Sequence, residues 1–257
     1  MLARIPVPRG VRGGVLGFFA RALHINTEEA SKPLTEYGSV AELFTRDLKP
    51  SARPLGAGFV SAVDGTLRGI SEVQSVIAEQ IKGKTYSLIE LLGSEESASK
   101  YIGGRLLSLY LAPPNYHHVH APCDAEISGF TYLPGNLWPV NDWALTRISN
   151  LFSRNERIVI DLETQYGKVA LVMVGAANVG KMSLTFDPLI TNGSRKERLE
   201  RRYEKRVPIK KGERLGTFHL GSTVVLLLDS ECSKKLQFSR PPGGLQYGET
   251  LATEAPR

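Results

Sequence analysis

The run Val224-Val225-Leu226-Leu227-Leu228 constrains this chain more than any other stretch. Consecutive branched apolar side chains, with no polar break, suit a buried strand, and the run is far too short to span a bilayer as a helix. Gly221-Ser222-Thr223 stands directly before it, so the strand opens from a turn. Gly221 has no Cβ, which leaves its carbonyl open to attack and its backbone free to take strained dihedrals. The same strand signature recurs at 66–76, 106–112, 125–132, 157–163, 168–174 and 223–229. Pro113-Pro114 closes the second of these, Pro134-Gly135 the third, and Thr164-Gln165-Tyr166-Gly167 joins 157–163 to 168–174 as a hairpin. Short helices are expected at 87–92 and 95–101. No regular βαβ spacing appears, which argues against a parallel doubly wound sheet. The expected class is α+β: a predominantly antiparallel β domain with helices gathered at its N-terminal end.

A chain of 257 residues can bury a substantial core, and 42% hydrophobic with 23% charged residues is an ordinary globular composition. Net charge +6 favours a polyanionic partner, nucleic acid or an acidic membrane surface. No nucleic-acid motif and no regularly spaced stacking aromatics accompany the charge, so no nucleic acid is expected. Cys123 and Cys232 make no disulfide framework and no cysteine-rich metal site, and there is no Walker-type phosphate loop. Residues 1–24 carry Arg4, Arg9, Arg12 and Arg21 with no acid before Glu28. Val11, Val15, Phe18, Phe19 and Ala22 fall on one helical face, while Gly13, Gly14 and Gly17 weaken that helix by about 1 kcal/mol each. An interfacial helix and a packing helix both fit. Residues 26–38 read as a connection, Ser39 and Glu42 have capping-box spacing, and a helix through Leu43, Phe44 and Leu48 should end near Pro50. The stretch 51–58 reads as a Pro/Gly/Ala link. The basic stretch 194–206 reads as a solvated helix or loop face, with Glu197 and Arg201 as an i,i+4 pair.

Chemistry concentrates in Tyr116-His117-His118-Val119-His120-Ala121-Pro122. Histidine can take and return a proton near neutrality, and histidine clusters also bind zinc, although no HExxH-type helix is present. A polar turn is the plainer alternative. Residues three apart face opposite sides of a strand, so His117 and His120 share one site only if this stretch turns. Asp64, in Ala62-Val63-Asp64-Gly65, stands at a turn after a short apolar strand.

The order of Phe44-Thr45-Arg46, Val63-Asp64-Gly65, Lys82-Gly83-Lys84-Thr85-Tyr86-Ser87, Tyr116 to Pro122, Tyr132-Leu133-Pro134-Gly135, Asn150 to Arg157, Val174-Gly175-Ala176 and Leu220-Gly221-Ser222-Thr223 resembles the bacterial-type phosphatidylserine decarboxylases. That resemblance implies a proenzyme cut between Gly221 and Ser222 into a β chain, 1–221, and an α chain, 222–257, with Ser222 becoming a covalent pyruvoyl cofactor and Schiff-base site. It implies Asp64, His120 and Ser222 as the self-processing triad and His117 in decarboxylation, with no metal. It further implies phosphatidylserine as substrate, a segment 1–38 that associates with an anionic membrane, a catalytic domain 39–257, and a peripheral place on the cytoplasmic face of the inner membrane. A homodimer is compatible with it. Two other readings stay open: a serine hydrolase using Ser222, His120 and Asp64, although the Gly-x-Ser-x-Gly elbow is absent, and a non-catalytic membrane-binding relative. His219, just before the cleavage element, is a rival base for Ser222.

Overall fold

The computed structural model describes residues 2–80, 84–176, 181–192, 197–219 and 222–256. Leu220 and Gly221, Lys82 and Gly83, and residues 194–196 of the basic stretch therefore lie outside the described residues.

Ser222–Leu228 is buried along its whole length because a sheet extends on both sides of it. Its neighbours are Lys168–Val174 and Arg105–Leu111, both antiparallel. Outward from the first lie Arg157–Thr164, Ala125–Leu133 and Leu199–Ile209; outward from the second lie Gly65–Glu72 and Gly243–Leu245. This eight-stranded antiparallel sheet carries the main core. A smaller sheet joins Met182–Leu184, Arg214–Phe218 and His118–His120, and another joins Phe59–Val60, Thr250–Glu254 and Leu236–Phe238. The architecture is α+β and mostly antiparallel, as expected from the sequence.

Register fixes what sits at one end of the large sheet. Arg157 faces Val174, Val174 faces Thr223, Thr223 faces Tyr110 and Tyr110 faces Thr66. One step beyond that row lie Glu156, Gly175, Ser222, Leu111 and Gly65, so segments far apart in sequence end together. Gly65 has φ +157°, and a Cβ there would stand 2.2 Å from the Tyr110 carbonyl oxygen. Only glycine lets the backbone after Asp64 approach the neighbouring strand so closely.

Most predicted elements appear within a few residues of their expected ends. The Ser39 hydroxyl accepts the Glu42 N–H at 3.2 Å, as a capping box requires, and the Glu42 carboxylate returns to Gly38 N–H rather than to Ser39. That helix, Val40–Phe44, ends well short of Pro50, because Thr45 caps it and the chain turns Arg46 inward. The strand expected over 66–76 stops at Glu72. The basic stretch is corrected more substantially. Residues from Leu199 onward form an edge strand on Ala125–Leu133, not a helix or loop. Most of its side chains face solvent, with Leu199, Tyr203, Val207 and Ile209 more buried, and its arginines pair with Asp161, Asp187 and Glu126 of other elements, and with Glu200. Charge on an exposed edge also blunts pairing with other chains.

At the N-terminus, helix Arg12–Ala22 buries Leu16, Gly17 and Ala20. With Ile25, Tyr37, Leu43 and Phe44 among others, Leu16 and Ala20 form a second small core. Val11, Phe18 and Phe19 point the other way and are 52, 62 and 38% exposed. Among the described residues no helix is long and apolar enough to cross a membrane.

Candidate active site

Ser222 opens the central strand opposite Leu111, and its side chain has no exposure. Its Oγ has no hydrogen-bond partner among the described residues, nor has Oγ1 of Thr223. Burying a hydroxyl without a partner costs roughly 1–3 kcal/mol, a strain that functional sites often retain. Asp64 ends the approach to the Gly65–Glu72 strand, so one strand separates it from Ser222. Their backbones are about 9–10 Å apart by inter-strand spacing.

His118–His120 is a strand, held between Arg214–Phe218 and the segment before Asp64, where Ala62 O accepts His120 N–H at 2.8 Å. His117 precedes it, and Phe218 N–H donates to the His117 carbonyl at 2.9 Å. The rings divide accordingly. His118 and His120 both pack on Tyr116, with centroids 4.8 and 5.6 Å away, and His120 stacks on Tyr247 at 3.9 Å. His117 instead meets the edge of Phe44 at 5.6 Å.

Carbonyl partners settle each tautomer, because a carbonyl can only accept. His117 Nδ1–H donates to Asn115 O at 2.7 Å, leaving Nε2 buried and without a partner among the described residues. His120 Nδ1–H donates to Gly212 O at 2.8 Å, leaving Nε2 to accept the Tyr116 hydroxyl at 3.3 Å. His118 is the reverse: Nε2–H donates to Thr45 O at 3.1 Å and Nδ1 accepts the Thr217 hydroxyl at 2.7 Å. Burial lowers all three, His117 and His120 to about 4 and His118 to about 3. All three rings are therefore neutral near pH 7. The charge of Asp64 opposes that lowering at His117 and at His120, which places it within electrostatic reach of both.

Asp64 does not hydrogen-bond to His120. Arg53 donates Nε–H and Nη2–H to its two oxygens at 3.0 and 2.7 Å, and Tyr247 N–H donates to Oδ1 at 2.8 Å. Gly212, not Asp64, holds the His120 tautomer. The structure thus gathers Asp64, His117, His120 and Ser222 at one end of the sheet without linking them in a single hydrogen-bonded chain. Arg46 is buried nearby, donating Nη2–H to Pro114 O at 3.1 Å while Nε and Nη1 have no partner among the described residues. His219 contacts Ser183 Oγ at 3.3 Å. No group of three or more metal-ligating side chains is assembled among the described residues.

Sequence reasoning missed Arg53 and Tyr247. Arg53 lay in what read as a plain link, and Tyr247 lies near the far end of the chain; no local pattern marks either. At this end of the sheet His117 Nε2, in a neutral ring, and the buried Ser222 Oγ both lack a hydrogen-bond partner among the described residues, the two kinds of group that proton removal from a hydroxyl requires. The phosphatidylserine decarboxylase family model matches residues 40–253. Similar proteins named phosphatidylserine decarboxylase proenzyme occur in Myxococcus xanthus, 39% identical over 89% of this chain and 82% of the relative, and in Brevibacillus brevis, 38% identical over 92% and 86%. Another, from an Anaeromyxobacter species, is 39% identical over 98% of this chain and 90% of its own length. The chain belongs to the phosphatidylserine decarboxylase family.

Proposed function

We propose that this enzyme is a self-processing decarboxylase that converts phosphatidylserine to phosphatidylethanolamine in phospholipid biosynthesis. Family membership supports the reaction. The observation that carries the self-processing is Ser222 itself. In the uncut chain a hydroxyl with no exposure and no partner among the described residues is shielded from outside esters, whereas the carbonyl of the preceding residue, Gly221, is covalently next to it. This favours an intramolecular nucleophile over a serine hydrolase acting on outside esters.

In this reading an imidazole takes the Ser222 proton as Oγ attacks the Gly221 carbonyl. An ester replaces the Gly221–Ser222 peptide bond, elimination breaks the Cβ–Oγ bond and releases the β chain as a carboxylate, and water then hydrolyses the imine tautomer of the resulting dehydroalanine, expelling ammonia and leaving a pyruvoyl group. The fit of that group rests on the orphaned Ser222 Oγ, the atom lost in forming it. Once formed, it supplies an electron sink for loss of CO₂ from an amino acid head group. The chain's own residues do the rest. His120 is kept in one tautomer by Gly212, as a base must be, and is assigned to processing with Asp64 as the nearby negative charge. His117, fully buried with Nε2 unpartnered among the described residues, is assigned to proton handling during decarboxylation. The helix Arg12–Ala22 brings the site to the membrane: Val11, Phe18 and Phe19 enter the interface while nearby arginines meet anionic head groups. This gives a peripheral membrane enzyme, with residues 1–38 as the membrane segment and 39–257 as the catalytic domain.

Intact mass measurement of purified protein tests the reading together with CO₂ release from phosphatidylserine. Two chains are expected, the smaller one ammonia lighter than a serine-started peptide, and Ser222→Ala should remain one chain. A cleaved Ser222→Ala protein would refute the nucleophile.

A further inference from the structure

The segment between Leu133 and Asn150 is built with apolar groups on two sides. Inward, Val140 and Ala144 are buried in the main core at 4 and 0% exposure, and Asn141 caps the short helix Asp142–Arg147 by accepting Ala144 N–H at 3.1 Å. Outward, Trp138 and Trp143 are left 47 and 59% exposed, and the Arg147 guanidinium lies 4.8 Å from the Trp143 ring centroid. Leaving two indoles in water forgoes a large burial gain, so a surface that keeps them there is built to meet something.

The position of that surface is fixed by Asn155, which is fully buried. Its side chain accepts Trp138 N–H at 3.0 Å and donates to Trp138 O and Gly175 O, both at 2.8 Å. Gly175 follows Val174, the register partner of Thr223. Trp138 is therefore pinned at the end of the sheet where Ser222 opens its strand. Between residues 134 and 148 the one acid is Asp142 and the one base is Arg147, and from outside the segment Arg68 Nη1–H donates to Val140 O at 3.2 Å.

We propose that Trp138 and Trp143 form a second bilayer-contact element, seating the Ser222 end of the sheet in the interfacial layer of a phospholipid membrane. The inference rests on the lipid substrate proposed above, whose acyl chains stay in the bilayer while its head group must reach Ser222. Indole rings partition to the head-group level, with the ring in the apolar layer and its N–H hydrated. Because segment 134–148 carries no net charge of its own and its exposed rings are apolar, their contribution should persist in salt that screens the arginines of residues 1–24.

The chain has two tryptophans in all, so intrinsic fluorescence reports on this surface alone. Full-length protein titrated with phosphatidylcholine/phosphatidylserine vesicles should shift its emission to the blue. Lipids brominated near the glycerol should quench it more than lipids brominated at the chain ends. Trp138→Ser with Trp143→Ser, at unchanged melting temperature, should reduce vesicle partitioning in high salt by roughly tenfold or more. Unchanged emission from protein that sediments with vesicles would overturn the proposal. So would a blue shift that follows protein concentration without lipid, which would assign the surface to a second copy of the chain. Failure to release CO₂ with the lipid-dependent shift intact would instead refute the proposed reaction and leave the contact standing.

Discussion

Arg53 grips both carboxylate oxygens of Asp64 and, through the same Nη2, Glu29 at 2.8 Å. Arg53 and Asp64 are each 5% exposed at the side chain, so this is a buried ion pair. Removing one member strands the other charge away from water, at a cost of about 3–5 kcal/mol. Arg53→Gln should lower unfolding stability by that order in urea titrations. Adding Asp64→Asn should recover part of it, and strictly additive losses would show that the pair is not coupled.

The two histidine assignments separate by timing. His120→Ala and Asp64→Asn should leave the chain uncut, since both act before any cofactor exists. His117→Ala should still be cut, at least in part, and should lose most CO₂ release. A denaturing gel beside a decarboxylation assay reads both. If His117→Ala stays whole while His120→Ala matures, the roles are exchanged.

Acid should unfold this protein early. The folded rings of His117 and His120 titrate at about 4 and that of His118 at about 3, against 6.5 in an unfolded chain. Below 6.5 the unfolded chain binds protons that the folded one refuses, so stability rises with pH across this window and is complete above it. Each ring adds a slope of up to about 1.4 kcal/mol per pH unit. Denaturation midpoints should fall steeply from pH 6.5 to 4, and His118→Asn, if it folds, should flatten the fall. A midpoint constant over that range would contradict the buried neutral rings.

In the proposed reading the N-terminal helix would supply the salt-sensitive part of membrane binding. Basic residues near an anionic surface contribute about 1 kcal/mol each. Vesicle co-sedimentation should therefore weaken with ionic strength and fall further in Phe18→Asp with Phe19→Asp. Unchanged sedimentation of that variant would place the membrane contact elsewhere.

Much of this was legible in the chain. Strands with strong β-formers between Pro and Gly breaks appear nearly where the pattern puts them, and the apolar face of residues 11–22 does point outward. The basic stretch was misjudged because alternating Lys, Arg and Glu suits a helix face and an edge strand equally; only pairing with Ala125–Leu133 decides. The histidine spacing puts His117 and His120 on opposite sides of a strand, and their rings do meet different neighbours, Phe44 for the first and Tyr116 and Tyr247 for the second. What no local pattern could give was the long-range closure: Tyr247 on His120, Arg53 on Asp64, Gly212 on the His120 ring. Those contacts depend on how the sheet folds back, not on neighbours in sequence.

The central strand has one more consequence. Three strands after Gly221 are woven into what precedes it: Ser222–Leu228 between two strands, Gly243–Leu245 against Gly65–Leu67, and Thr250–Glu254 against Phe59–Val60. A cut before Ser222 would leave the halves interleaved, with no route to separate short of melting the sheet. It would also turn a folding reaction within one chain into an assembly of two. The mature enzyme would then be a one-way product, holding its shape through a high unfolding barrier rather than through an equilibrium it could re-enter. Once denatured, the cut protein should fail to regain activity under conditions that restore the uncut Ser222→Ala chain to its native fold.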